Sequence, residues 1–267
     1  MTVRVVTDSG SDIDPIVAKQ LGITIVPTYV LFGEKSYRDG VDINADEFYE
    51  KLSVSKVMPR TAIPSPGEFM ETYRNLCKDS DEIVSIHITR KHSSILEAAS
   101  LGRQLLDKSN CRIEIIDSGG VTIWQGMVAI AAAKTAASGG SLQEVVAKVH
   151  ETIDRLTGLG LLSTLRYAIA GGRVRGPFFR VESVLPLKVL LTIRAGEVRP
   201  VGLVRNWVKG IERLHGFVRA ASPDQVYDIA LGYNTSESDL NSMLVYVKSI
   251  LPRITPRVFR IGPTLGA

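Results

Sequence analysis

Val3-Arg4-Val5-Val6-Thr7-Asp8-Ser9-Gly10-Ser11-Asp12 is a β-branched run that breaks into small polar residues. It predicts a short strand over 3–6 and then a polar turn. Ser11 or Asp12 can cap a following helix, with Pro15 tolerated in its first turn. Gly22 suits the position just past that helix's end. Working outward, the phrase repeats. Ile23–Phe32 is mostly apolar and reads as a buried second strand, Ile83–Ile88 as a third and Ile113–Ile116 as a fourth. Strand, polar turn and helix in alternation predict an open, three-layer α/β sheet. Ligands in such sheets bind at the carboxyl ends of the strands. Three polar turns fall there: Asp8–Asp12, Thr89–Ser94 and Asp117–Gly120.

The helices between them carry their own signals. Asn44 or Asp46 opens one that runs through Leu52. Pro59–Pro66 reads as a proline-punctuated loop. Ser65 followed by Glu68 is a capping box opening the next helix. Arg90–Ser94 is polar, and an amphipathic helix continues to Leu106. The Ala-rich stretch Thr122–Ala137 is nearly all apolar, which marks a buried helix. Ser141–Leu156 is another.

Beyond Thr157 the texture changes. Gly171-Gly172-Arg173 breaks the chain after a short helical stretch. Val184–Ile193 and Val198–Val204 read as strands around a hairpin turn at Ala195-Gly196-Glu197. A helix over about Trp207–Ala221, a strand Val226–Gly232, a helix Ser238–Leu251 and a strand Arg257–Ile261 complete the chain. This half reads as an α+β domain with antiparallel pairing. The expected division is therefore residues 1–156 and 157–267.

Composition narrows the function. The 267 residues are 45% hydrophobic and 22% charged with a net charge of +4, which fits a globular protein and not a disordered one. Lys and Arg are scattered, so no nucleic-acid partner is expected. The start reads as a strand and not as a signal peptide. The longest apolar run, Val121–Ala137, is interrupted by Gln125 and Lys134, so no membrane span is expected. A cytoplasmic location follows as the default. Cys77 and Cys111 lack a paired spacing and read as buried free thiols.

Seven motifs, in order along the chain, resemble the DegV family. Thr7-Asp8-Ser9-Gly10-Ser11-Asp12 is similar to its TDSxSD opening, and Tyr37-Arg38-Asp39-Gly40 to its Y/F-x-D-G segment. Pro59-x-Thr61-Ala62-Ile63-Pro64-Ser65 resembles its P-x-TSQPS loop. Ile86–Ser94 resembles its I-x-I-S-S-x-L-SG-T segment. Asp117-Ser118 with Gln125-Gly126 resembles DS…G, Gly171-Gly172-Arg173-Val174 resembles GGRI, and Val201–Arg205 resembles P-x-G-K-x-R. Departures are Ala62-Ile63 for the family's SQ, and Ser94-Ile95 for its glycine and threonine. The family's pattern also runs past Ala267 into a His-x-Gly-Pro-Gly segment, where this sequence stops.

The resemblance implies a carrier of a free long-chain fatty acid with two domains and an apolar ligand tunnel between them. It implies that Thr61 and Ser93 hydrogen-bond the carboxylate, with Ser94 as a further donor. It places Arg173 beside the head group or on a partner-facing surface. It also implies a separate ATP-dependent fatty acid kinase as partner, which would supply ATP and Mg²⁺. Neutral hydroxyls suit this task, because a buried carboxylate needs donors and an empty site should hold no fixed charge. No catalytic residue, metal ligand or cofactor is then expected beyond the bound fatty acid.

Plainer readings stand beside these. Ser93 also suits a helix N-cap, and Thr61 and Arg173 suit ordinary loop and turn positions. Asp12 reads as a helix cap, Asp8 as a turn former and His87 as a satisfied strand histidine. His92 beside Ser93 raises a hydrolase, but no Gly-x-Ser-x-Gly elbow is present. Two other functions remain open: an enzyme on a small acid or phosphorylated metabolite using Asp8 and Asp12, and a lipid sensor docking a partner through Arg173, Arg175 and Arg180.

Overall fold

The computed structural model describes residues 3–106, 111–174, 187–221, 224 and 226–267. Four strands, β1 (Arg4–Asp8), β2 (Ile23–Val26), β6 (Glu82–His87) and β7 (Arg112–Asp117), form a parallel sheet in the order β2-β1-β6-β7. Successive side chains on a strand face opposite ways. Val5 enters one core with Val84 and Ile86, against α1 (Pro15–Leu21), α5 (Ile123–Ala137) and α6 (Leu142–Arg155). Val6 enters a second core with Ile83 and Ile113, against α3 (Pro66–Leu76) and α4 (Ile95–Gln104). Each fully buried aliphatic side chain contributes roughly 1.5–3 kcal/mol. Helices on both faces make the three layers expected from the alternation. The capping boxes at Asn44 of α2 (Ala45–Val54), at Ser65 of α3 and at Ser141 of α6 are all formed.

Three local expectations are corrected. The run 23–32 is two strands, because Pro27 ends β2 and the chain turns into β3 (Tyr29–Phe32) of another sheet. That antiparallel sheet, β4-β3-β5, includes β4 (Lys35–Arg38) and β5 (Arg60–Ala62), so Thr61 lies on an edge strand and not in a loop. Asp14, not Ser11 or Asp12, caps α1, accepting from the Ile16 and Val17 amides. Asp12 instead takes a left-handed conformation at φ 51°.

The later half contains an antiparallel sheet, β10-β9-β8, of β8 (Gly160–Leu162), β9 (Lys188–Arg194) and β10 (Glu197–Val204). The expected strand residues 184–186 lie outside the described residues. The short α7 (Arg166–Ala170) precedes the Gly171-Gly172-Arg173 turn, and α8 (Trp207–Ala220) lies near the sheet. Ala195 (φ 50°) and Gly196 (φ 79°) form the two-residue hairpin turn between β9 and β10.

The last strand pair departs from the antiparallel expectation. β11 (Ala230–Tyr233) and β12 (Arg257–Arg260) are parallel, joined through α9 (Glu237–Ile250). Phe259 of β12 is buried in the same core as Val5 and Val84. The chain end thus returns to the first sheet, and α10 (Pro263–Gly266) closes beside it, where Thr264 donates its amide to Asp39. The cysteines also depart from expectation. Cys77, at the end of α3, and Cys111, before β7, are joined as a disulfide with Cα atoms 5.8 Å apart. Parallel strands β6 and β7 are neighbours, which brings these half-buried ends together.

Candidate functional site

The three polar turns do converge at the carboxyl edge of the parallel sheet. Asp8 accepts from the Gly10 amide (3.0 Å), from the Ile88 amide (3.2 Å) and from His87 Nδ1 (2.9 Å). Thr89 donates its amide to Gly120 (2.9 Å), Ser118 to His87 (3.0 Å) and Thr122 to Gly10 (2.8 Å). Arg90 is tied to Asp117 through its backbone and guanidinium nitrogens. These bonds satisfy backbone groups that a loop would otherwise leave unpaired. They fix where residues 89–94 begin.

His87 is satisfied, as expected. Its Nδ1 donates to Asp8, its Nε2 is hydrogen-bonded with Ser85 Oγ at 2.7 Å, and Ser85 in turn meets the Tyr73 hydroxyl at 2.8 Å. Asp8, His87 and Ser85 have the order of a hydrolytic triad, but all three are 0% exposed and no substrate can reach Ser85. Burial raises the Tyr73 phenol above its usual range.

A pocket of about 490 Å³ opens beside this edge, lined by Thr61 on β5, Ser93 and Ser94 before α4, and Arg173 in the Gly171-Gly172-Arg173 turn. All four residues singled out in the sequence meet there. Arg173 Nη2 donates to Thr61 Oγ1 at 3.1 Å, and Nη1 donates to the Gly171 carbonyl at 2.6 Å. Ser93 Oγ accepts from the Ile95 amide at 3.3 Å, so it caps the first turn. The residue at the helix's N-cap is Ser94, whose hydroxyl makes no capping bond. Both readings of Ser93 are therefore compatible, since an oxygen accepting at a helix start can still donate its own proton. Arg90 and Lys91 also line the pocket, and no carboxylate does among the described residues, so this wall favours an anion.

His92 completes the wall, a feature that sequence reading weighed only as a hydrolase base. Its Nε2 accepts from the Val198 amide of β10 at 3.1 Å. It is not engaged with Ser93. Burial lowers its pKa from the ordinary histidine value; Glu197 and the Arg173 backbone oppose this shift and the Arg173 charge adds to it. Nothing in the sequence pattern pointed to a partner 106 residues away.

Asp8 and Asp12 do not present an acid–base pair to solvent. Asp8 is 0% exposed and has three donors. Asp12 accepts from the Thr122 hydroxyl and from the Gly262 amide. Burial pushes the Asp12 carboxyl up to about 8, against the lowering effect of Thr122 and with a further rise from Asp39. Asp39 is pushed up to about 6 by burial, opposed by its bonds from Thr264. No group of three or more metal-ligating side chains occurs among the described residues. Arg175 and Arg180 of the expected docking patch lie outside the described residues, and Arg173 is exposed.

A second cavity, of about 800 Å³, lies between the antiparallel sheet and α8. Leu159, Leu190, Val201, Leu203 and Phe217 line it, with Glu212, Arg213 and Arg219 among its polar residues. Strand β10 joins the two cavities. Val198 meets His92 at the first, and 201–204 line the second, roughly 10–20 Å along a strand. No described helix is long and apolar enough to cross a membrane.

The sequence model of the DegV family, whose members it describes as uncharacterised, matches residues 2–267. A DegV domain-containing protein of Caldanaerobacter subterraneus is 36% identical over 250 residues, covering 93% of this chain and 88% of its own. Among solved structures, a DegV family protein from Thermus thermophilus described as binding fatty acid superposes with a TM-score of 0.87. It is 27% identical over 100% of this chain and 95% of its own. A DegV fatty acid binding protein from Bacillus subtilis gives a TM-score of 0.89 at 23% identity, covering 100% and 94%, and supports the fold alone.

Proposed function

The chain belongs to the DegV family, and on that premise we propose that it binds a free long-chain fatty acid and presents it to a separate ATP-dependent fatty acid kinase for acyl phosphate formation. The observation that carries this reading is the meeting of Thr61, Ser93, Ser94 and Arg173 in one pocket that Arg90 and Lys91 also line. Thr61 and Ser93 donate to the fatty acid carboxylate, and Ser94 adds a third hydroxyl. Arg173, bonded to Thr61, holds that hydroxyl's oxygen and leaves its proton free to point at the ligand. Charge-assisted bonds of this type contribute about 1.5–3 kcal/mol each.

The acyl tail follows β10 toward the larger cavity, where Leu190, Val201 and Phe217 offer apolar surface. The division of the chain is residues 1–156 and 157–267, with the head group at the join and β12 returning to the first core. The phosphoryl chemistry belongs to the partner, and this chain performs none in a cytoplasmic setting. The enzyme alternative is disfavoured by the enclosure of Asp8.

Native mass spectrometry of the purified protein, with extraction of whatever it carries, tests the reading. A stoichiometric fatty acid of defined length supports it. A protein that arrives empty and takes up no added fatty acid overturns it.

A further inference from the structure

Four segments meet at the head-group pocket, and His92 is the side chain through which three of them touch. It belongs to the 89–94 turn, its Nε2 accepts from Val198 of β10, and its ring lies against the backbone of Arg173. The same contact is reinforced around it. Gly196 in the hairpin is packed so closely on Thr89 that a Cβ there would lie 2.6 Å from Thr89 Oγ1. Lys91 pairs loosely with Glu197 at 3.8 Å.

The acceptor role of Nε2 has a chemical consequence. A backbone amide can only donate, so Nε2 carries no proton and the neutral ring holds its proton on Nδ1. Nδ1 is buried and makes no hydrogen bond of good geometry. An imidazolium would have a proton on Nε2 directed at the Val198 N–H, donor against donor. The bond exists only with the neutral ring.

We propose that His92 is a positioning residue for ligand binding, a neutral joint that holds the β9–β10 hairpin and the Arg173 turn against Thr61 and Ser93 and releases them when it is protonated. This rests on the fatty-acid reading above. The charged groups facing the ring are Glu197 from β10 and Arg173 from the turn after α7, and Lys91 on its own turn pairs with Glu197. The Arg173 charge disfavours protonation, whereas Glu197 and the Arg173 backbone favour it. The sign is fixed by geometry, since acid removes the acceptor. The direction of the His92 shift, driven by burial, agrees.

The test compares wild type with His92→Gln and His92→Leu. Glutamine keeps an acceptor at the Nε2 position and does not titrate, whereas leucine keeps the bulk and removes the acceptor. Hexadecanoate affinity is measured between about pH 5.5 and 8. Ionisation of the ligand is common to all three proteins and cancels in the ratios. Wild type should match His92→Gln at pH 8 and fall about three- to tenfold below it at the acid end. His92→Leu should be weaker by a similar factor at every pH. In parallel, amide exchange of residues 195–204 in the unliganded protein should speed up on acidification beyond the intrinsic rate in wild type but not in His92→Gln. Equal affinity and equal exchange in all three proteins would overturn the joint while leaving the carrier reading intact. No hexadecanoate binding by any of them would count against the carrier reading, and the exchange comparison would still decide whether His92 ties the hairpin.

Discussion

Arg173 and Thr61, 112 residues apart, are joined by a 3.1 Å bond from Nη2 to Oγ1. The bond connects a turn of the later half to an edge strand of the earlier half. It uses the threonine oxygen as acceptor and so orients the hydroxyl proton away from the guanidinium. A carboxylate entering the pocket meets a cation and a donor already in register.

The paired variant Thr61→Ala with Ser93→Ala removes two donors from that anion. Each loss should weaken fatty-acid binding roughly tenfold or more. The folded protein should remain, because both residues are only partly buried. Titration calorimetry with thermal melts as control reads both effects. Unchanged affinity in the double variant sinks the assignment of the head-group site.

His87→Leu breaks a fully buried chain running from Asp8 through His87 and Ser85 to Tyr73. It leaves a buried carboxylate without its strongest side-chain partner. The expected loss is about 3–5 kcal/mol, read from urea unfolding. A loss below 1 kcal/mol, on the order of an ordinary surface substitution, would show that Asp8 is satisfied by its two backbone donors alone.

The Asp12 carboxyl, held at about 8, takes up a proton more readily in the folded chain than in the unfolded one. Between the ordinary carboxylate value of 3.8 and about 8, the folded state therefore binds more protons, and this group's contribution to stability declines as pH rises through that window. Asp12→Asn keeps an acceptor for Gly262 and Thr122 and removes the titration. The melting temperature of wild type should drop from pH 5 to pH 8 by more than that of the variant. Parallel curves would refute the raised pKa.

The Cys77–Cys111 disulfide closes a loop with a sequence separation of 34. On the chain-entropy account, cross-linking such a loop stabilises by about 3–4 kcal/mol. Protein purified without reductant should show no free thiol on alkylation, and reductant should lower its melting temperature. Two reactive thiols in unreduced protein would show that the pair stays open.

Much of this was legible along the chain, because the signals were local. Val3–Val6 alternates toward two cores, Asn44, Ser65 and Ser141 cap helices with the residue three positions on, and the apolar 123–137 stretch requires burial on all sides. The misreadings came from competition between neighbours. Pro27 splits a run that hydropathy alone joins. The prolines at 59, 64 and 66 hid the short strand carrying Thr61, whose pairing with Val30 leaves no local mark. Asp12 had the composition of a cap, but Asp14 had the position.

By itself the sequence determined the layered α/β class, the order of strand, turn and helix, and the residue types offered to an anion. These follow from periodicity, capping and turn chemistry, which act over a few residues. Only the tertiary structure decided that Arg173 reaches Thr61, that His92 accepts from Val198, that Phe259 returns to the first core and that Cys77 meets Cys111. Those pairings depend on strand order and on how the sheets pack, which sum contacts from the whole chain. A side chain's hydrogen-bonding capacity is written in its identity; its partner is set by which backbone the rest of the fold brings within 3 Å or so.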